Sequence, residues 1–435
     1  MYRMAMVNLK KWQTNVDKKP LIIRGARQVG KTWLMKEFGR TSFDKTVYIN
    51  FDSNERMTEL FSGDLDITRI VLGLELEVGF KINAENTLII FDEIQEVPKA
   101  LTSLKYFNEN APTYQIVAAG SLLGVALHNG TSFPVGKVEF LDLYPLNFEE
   151  FLMATGREMF AQLLKKGDFP LIINFKTKYI ESLKYYYYVG GMPEVVLNFS
   201  KNMDFNEARA IQTRILDAYE QDFSKHAPHD VVPRIRLLWN SIPGQLSKEN
   251  KKFIYGLVKE GARAREYELS MLWLTDCGLV HKISRIAKPA LPLKAYEDMK
   301  AFKLFVLDIG LLGAMSKLRS STILDGNSLF VEFKGALTEQ FVMQQLQYID
   351  SFDIFYWSND RGNAEIDFLI DDGENITPIE VKAETNLKAK SLKLYKDMFN
   401  PKYCIRTSMA NYKVEDWLIN LPLYAVMQLS SLLKS

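Results

Sequence analysis

Two regimes of hydrophobic and polar patterning alternate along the chain. The first third carries short apolar runs, LII at 21–23, TVYINF at 46–51, TLIIFD at 87–92 and QIVAA at 115–119, separated by segments with helical spacing. Uninterrupted runs of this length are what strands buried on both faces of a parallel sheet require. Residues 1–19 read as an amphipathic lead-in helix that stops before Pro20, and the chain beyond residue 51 is expected to be largely helical through residue 76. From 148 to 205 the pattern is helical, broken by GGMPE at 190–194. The tyrosines at 185–188 point all round such a helix, so they read as packing rather than as a stacking platform for bases.

Residues 206–315 begin with helical periodicity and pass into two strand-like pieces, 279–283 and 302–307, joined across a proline-containing connection. That order predicts a winged helix. Leu269, Leu272 and Trp273 are expected on the core face of the helix before Gly278, leaving Arg263 and Arg265 to meet a phosphate backbone, with Glu266 and Glu268 diluting the charge. A winged helix that only joins domains fits the same pattern. The polar stretch RSSTILDGNS at 319–328 reads as a linker, followed by a helix over 335–348, a strand over 354–357 and the strand-like AEIDFLI and TPIEVKA.

Composition bounds the interpretation. A chain of 435 residues, 47% hydrophobic and 25% charged, is too long for one ordinary core, so two or three domains are expected. A net charge of +1 gives no global field toward nucleic acid or an anionic membrane, and any such binding must come from local patches. Cys277 and Cys404 are the only cysteines, and His128, His226, His229 and His281 the only histidines, with no zinc or disulfide spacing. The N-terminus lacks an apolar signal core and no run approaches the roughly 18 apolar residues of a membrane span. The expectation is a cytoplasmic protein without a membrane partner.

The densest chemistry lies at 21–38, LIIRGARQVGKTWLMKEF. Gly25 through Gly30, Lys31 and Thr32 fit G-x-x-x-x-G-K-[ST], between an apolar run and a helix. Glycines let successive main-chain amides turn toward a phosphate, and the helix N-terminus favours the anion. The expected ATP-binding residues are therefore Gly25, Ala26, Arg27, Gln28, Val29, Gly30, Lys31, Thr32 and Trp33, with Lys31 reaching the β/γ-phosphates and Thr32 offering its hydroxyl to Mg²⁺. Asp92 ends the run TLIIFDE where a second Mg²⁺ ligand belongs, and Glu93 is placed to orient and deprotonate the attacking water. Ser121, after the strand at 115–119, reads equally as a sensor of the γ-phosphate or as a helix N-cap. Lys137 stands near enough in pattern to reach the nucleotide, or to be an ordinary exposed lysine.

GARQVGKT, LIIFDE and AAGS, followed by PVGKVEFLDLYPLNFEEFL, resemble the AAA-type ATPases of bacteria and archaea that carry a C-terminal nuclease-like domain. The resemblance spans most of the chain. It implies an α/β P-loop NTPase of the additional-strand class, an AAA-type αβα sandwich, with Asp92 as the metal-binding acid and Glu93 as the hydrolytic glutamate. Lys137 departs from it, standing where the family pattern places an arginine after glycine.

In the C-terminal part, Glu339 lies on the expected helix, Asp367 on AEIDFLI, and Glu380 and Lys382 on TPIEVKA. Alternation puts Glu380 and Lys382 on one face of their strand and Val381 in the core. Paired carboxylates make a hard oxygen site for Mg²⁺, and a neighbouring lysine can position or activate water. This resembles the PD-(D/E)xK restriction-endonuclease fold, with Glu339 as the helix acid and Asp367, Glu380 and Lys382 as the core trio. Lys388, Lys390, Lys393 and Lys396 then read as a phosphate-tracking helix or a solvated face.

The expected organisation is an ATPase core over 1–155, a helical connector over 156–205, a winged-helix-like domain over 206–318 and a nuclease-like α/β domain over 329–435. The expected activity is ATP hydrolysis, coupled to a C-terminal domain that acts on DNA or RNA, or else to a nucleotide-dependent switch or assembly protein whose C-terminal domain cuts nothing. The sequence leaves the subunit count open, a homo-oligomer included.

Overall fold

The apolar runs of the first third assemble into one parallel sheet. In the computed structural model, which describes residues 1–120, 133–248, 252–325, 331–349, 351–359, 364–383 and 389–434, strands β1 (Leu21–Arg24), β2 (Lys45–Asn50), β3 (Thr87–Asp92), β4 (Gln115–Ala119) and β5 (Glu139–Asp142) lie in the order β2-β3-β4-β1-β5, with every pairing parallel. β3 and β4 are buried at every position, as their composition demands. β4 sits between β3 and β1, which are therefore not adjacent in the sheet. In register, Asp92 faces Asn50 on one side and Ala119 on the other, so the ends of β2, β3 and β4 lie level. β5 was not foreseen as a strand, because EFLD mixes charge with apolar residues and alternates between half-buried and exposed positions, as an edge strand does.

Helices α1 (Ala5–Thr14), α2 (Lys31–Ser42), α3 (Glu55–Ser62), α4 (Ile67–Val78) and α5 (Pro98–Asn110) complete this unit. One core cluster joins Ile49, Ile89, Phe91 and Ile116 of the sheet, with Phe51 just beyond β2, to Phe61 and Phe107 of the helices. Phe51, Phe61 and Phe91 meet edge to face at 5.4–5.7 Å, a geometry the ring quadrupoles favour. Met1–Tyr144 with Asp276–Gly278 form this first compact unit, and Pro145–Thr275 with Leu279–Ser435 form the second.

The second unit is built on an eight-stranded mixed sheet. Strands β6 (Val280–Ile286), β7 (Glu297–Val306), β8 (Asp353–Ser358), β9 (Glu365–Asp371), β10 (Ile376–Val381), β11 (Ile405–Ser408), β12 (Lys413–Val414) and β13 (Ile419–Pro422) lie in the order β12-β13-β11-β10-β9-β8-β6-β7. The hairpin β6–β7, expected as a wing, is continuous with the C-terminal strands: Arg285 and Ile286 pair in parallel with Tyr356 and Trp357. Ile286, Trp357, Ile366, Leu369, Leu392 and Tyr395 share one core cluster.

Helices α6 (Phe148–Ala154), α7 (Lys176–Val189) and α8 (Phe205–His226) belong to this unit. Tyr186, Tyr187 and Tyr188 are buried, and Tyr186 packs edge to face on Phe148, Phe151 and Phe341. The GGMPE turn has a steric cause: a Cβ at Gly190 would overlap Asp308, and one at Gly191 would overlap the Leu146 carbonyl. Asp308 Oδ2 accepts the Gly191 N–H at 2.6 Å.

Two expectations are corrected here. On α9 (Ala264–Asp276), Leu269 is 65% exposed and Leu272 is also exposed, while Tyr267, Ser270, Met271 and Leu274, with Trp273 beside them, are buried. The i, i+3, i+4, i+7 stripe starting at Tyr267 wins because it fills the core at successive turns. The stretch read as a linker is helical over Ser320–Asp325, and 326–328 lie outside the described residues.

Candidate active site

Main-chain geometry at the start of α2 is forced by the glycines. A Cβ at Gly25, whose φ is +141°, would overlap the Leu143 carbonyl, so that position accepts glycine only. Gln28 at φ 66° and Gly30 at φ 94° are left-handed, and Gly30 is the N-cap of α2 without a side-chain cap. The first amides of this 12-residue helix therefore have no capping side chain. Ala26 and Val29 are buried and offer main chain alone, Arg27 is half-buried, and Gln28 and Trp33 are exposed.

Lys31 is buried and folded back on its own loop, its Nζ donating to the Gly25 and Ala26 carbonyls at 2.8 Å each. Burial pulls its pKa down to about 8, against the raising influence of Glu93 and Asp92. Thr32 Oγ1 donates to Asp92 Oδ2 at 2.7 Å, so the hydroxyl and the carboxylate that the sequence singled out meet directly. Asp92 Oδ2 also accepts from the Tyr48 hydroxyl at 3.0 Å, and Oδ1 from the Glu93 N–H at 3.2 Å. Glu93 follows in the left-handed region at φ 51°, an uncommon conformation for a non-glycine residue, and its Oε2 accepts from Gln95 Nε2 at 2.7 Å.

Arg3 and Tyr48 escaped the sequence reading. Arg3, buried, donates to Val29 O at 3.0 Å and to Tyr144 O at 2.5 Å, bracing the phosphate loop from outside its motif. Tyr48 belonged to a run that reads as core, and no signal in TVYINF marks its hydroxyl. Lys137 pairs with Glu109 at 2.9 Å. Ser121 lies outside the described residues.

In the second unit the structure brings Lys382 Nζ to Glu380 Oε1 at 2.8 Å, placing both on one face as alternation required. Asp367 Oδ2 accepts the Val381 N–H at 2.7 Å. Glu339, on α10 (Val331–Leu346), meets a residue that no motif marks: Lys303 Nζ, 3.6 Å from Glu339 Oε2, also forms an ion pair with Glu365. Lys303 has no exposed side-chain surface. Burial opposes its charge, but Glu365, Glu339 and Asp367 outweigh that and hold its pKa above the ordinary lysine value. Among the described residues no group of three acidic, histidine or cysteine side chains is arranged to hold a metal ion. Of the residues expected to ligate Mg²⁺, Glu339 lies beside Lys303, Asp367 accepts the Val381 amide and Glu380 pairs with Lys382. Lys390, Lys393 and Lys396 lie on α11 (Lys390–Phe399), and Lys388 is outside the described residues.

Residues 17–152 match a family model described as an AAA domain. Residues 180–322 and 334–425 match two models of domains of unknown function, DUF8612 and DUF4143. No curated protein matches the chain. Solved structures similar to it include the Walker-type ATPase PABY2304 of Pyrococcus abyssi, 14% identical, covering 72% of this chain and 94% of that one with a TM-score of 0.45. The Orc1 protein of Aeropyrum pernix in complex with DNA is 13% identical, covering 72% and 90% with a TM-score of 0.28. Cdc6p from Pyrobaculum aerophilum is 11% identical, covering 74% and 93% with a TM-score of 0.25. These likenesses are too distant to bear on function. The AAA-domain match, over residues 17–152, falls on the part of the chain that folds as a parallel sheet with a phosphate loop, so that part is an AAA-type P-loop domain and the chain is an ATPase.

Proposed function

We propose that the chain hydrolyses Mg·ATP in the first unit, with Gly25 to Trp33 as the nucleotide cradle. The observation that carries this reading is the 2.7 Å bond between Thr32 and Asp92, which joins the phosphate loop to the end of β3. Thr32 and Asp92 would hold Mg²⁺, which when bound neutralises charge on the transferring phosphoryl group. The uncapped amides of α2 and the Lys31 ammonium receive the phosphate oxygens. On this reading Lys31 exchanges its two carbonyl partners for anionic ones, which favours its charged form. Glu93 accepts the proton of the attacking water, and Gln95 fixes the orientation of its carboxylate. Tyr48 steadies Asp92 from the neighbouring strand. Ser121, next in sequence after β4, is assigned to sensing the γ-phosphate or to capping the helix that would follow it.

For the second unit the reading is a nuclease-like α/β core of the PD-(D/E)xK kind that engages DNA or RNA in response to nucleotide state, with Lys382 beside Glu380 as its reactive pair. A second reading, a nucleotide-dependent switch whose C-terminal part cuts nothing, is favoured by one observation: the buried Lys303 ammonium lies 3.6 Å from Glu339, one of the acids expected to ligate metal.

The test compares wild type with Lys31→Ala, Glu93→Gln and Lys382→Ala. Lys31→Ala is expected to lose ATP binding. Glu93→Gln should bind ATP while turnover falls by roughly 10²–10⁴-fold. Nucleic acid incubated with Mg²⁺ or Mn²⁺ should remain intact under the switch reading, whereas cleavage abolished by Lys382→Ala establishes the nuclease. A wild-type chain that neither binds nor hydrolyses ATP overturns both.

A further inference from the structure

The acidic centre of the second unit draws on elements far apart in sequence. α10 supplies Glu339, β9 supplies Glu365 and Asp367, and β10 supplies Glu380. A divalent cation is the ordinary way to gather such carboxylates, since unpaired charges in a desolvated site repel and cost solvation. Here the hairpin β6–β7 delivers a cation of its own. Lys303 lies on β7, its side chain wholly buried, ion-paired with Glu365 and 3.6 Å from Glu339, with its ammonium 4.9 Å from the centre of the Tyr356 ring. Lys382 neutralises Glu380, and the Val381 amide satisfies one oxygen of Asp367.

We propose that the Lys303 ammonium takes the place of a divalent cation at this centre, so that the second unit balances its buried acids with side chains and binds no metal there. The inference builds on the nuclease-like reading of this core and removes its metal. Metal and lysine oppose one another, because an ion ligated by Glu339 would sit beside the like charge of the buried Lys303. One observation points the other way. Glu380 Oε2 is buried and accepts no hydrogen bond among the described residues, which is the character of an oxygen awaiting a ligand. Glu380 is therefore the residue on which the test turns.

The experiment titrates the nucleotide-free full-length chain with Mn²⁺, following free Mn²⁺ by electron paramagnetic resonance, in an Asp92→Asn background that silences the first unit's metal ligand. The expected result is no stoichiometric Mn²⁺ binding at submillimolar concentrations. Stoichiometric binding that disappears on adding Glu380→Gln overturns the proposal. Lys303→Met in the same background should lower the unfolding midpoint by about 10 °C. Mn²⁺ should then bind, restore much of that loss and depend on Glu380, while Lys303→Arg keeps the midpoint near wild type without metal. An unchanged midpoint in Lys303→Met also overturns the proposal. Should that variant fail to fold, the titration with Lys303 intact still decides. Loss of ATP hydrolysis in the wild type would strike the proposed function of the first unit and leave this outcome untouched.

Discussion

At the scale of single residues, two buried ionisable groups respond to burial in opposite senses. Lys31 is pulled down to about 8, and Glu149, at the start of α6 and 4% exposed, is pushed up to about 7. Desolvation dominates at Glu149, with Lys165 at 4.0 Å and the Gln428 amide at 2.9 Å pulling back. Its folded pKa lies above the ordinary 4.5, so between pH 4.5 and 7 the folded chain keeps a proton that the unfolded chain has released. Stability of the second unit must therefore fall as pH rises through that window, by about 3 kcal/mol in order of magnitude. Glu149→Gln keeps an acceptor for Gln428 and removes the charge. The expected outcome is a flat profile over the same window and a gain at pH 7 of about 3 kcal/mol, read from hydrogen exchange of the α6 amides. A slope that survives the substitution would assign the pH dependence elsewhere. Legibility at this scale follows locality. Lys31, Thr32 and Asp92 were readable because a phosphate loop fixes its chemistry by short spacing, with an apolar strand pointing at its second acid. Lys303 was not, since a lysine in a strand carries no motif and its partners come from α10 and β9.

At the scale of elements, apolar runs named the buried strands, while edges and faces were harder to read. β5 was missed because an edge strand needs little apolar content, and α9 was turned wrongly because neighbouring hydrophobic residues fit more than one stripe until the core selects one. The lead-in segment was read as packing, which describes Leu9 and Trp12 but passes over Arg3 ahead of α1. Arg3 ties the Val29 carbonyl of the phosphate loop to the Tyr144 carbonyl, beyond the end of β5. Arg3→Met retains much of the apolar stem and removes both bonds, leaving two carbonyls to find new donors. The expected cost is about 2–3 kcal/mol of first-unit stability. Because the loop then spends part of its time away from its binding geometry, ATP affinity should weaken by about tenfold with little change in maximal turnover. Titration with a fluorescent ATP analogue measures the first effect and steady-state hydrolysis the second. Affinity equal to wild type would show that the loop holds its shape without the arginine.

At the scale of the whole chain, the sequence suggested a winged helix followed by a separate α/β domain, and the sheet of the second unit bears directly on that division. β6 and β7 carry turn and strand signals that any hairpin carries, so their pattern could not tell a wing from the edge of a larger sheet. The deciding contacts are non-local: Arg285 and Ile286 against Tyr356 and Trp357, and Lys303 against Glu339 and Glu365. A chain ended at residue 318 would lose β8 through β13 and α10, stripping β6 of its parallel neighbour and leaving the Lys303 ammonium buried or exposed without its acids. Unpaired strand edges and an unpartnered buried charge each oppose folding. The expected outcome is that the 1–318 chain retains cooperative unfolding of the first unit, while limited proteolysis removes the remainder and leaves a product ending near residue 144. Hydrogen exchange would find no protection over Val280–Val306 in that chain and strong protection in the full-length protein. A protease-resistant 1–318 chain with a protected hairpin would instead establish the middle region as a domain that folds alone, with the shared sheet as an interface between finished parts.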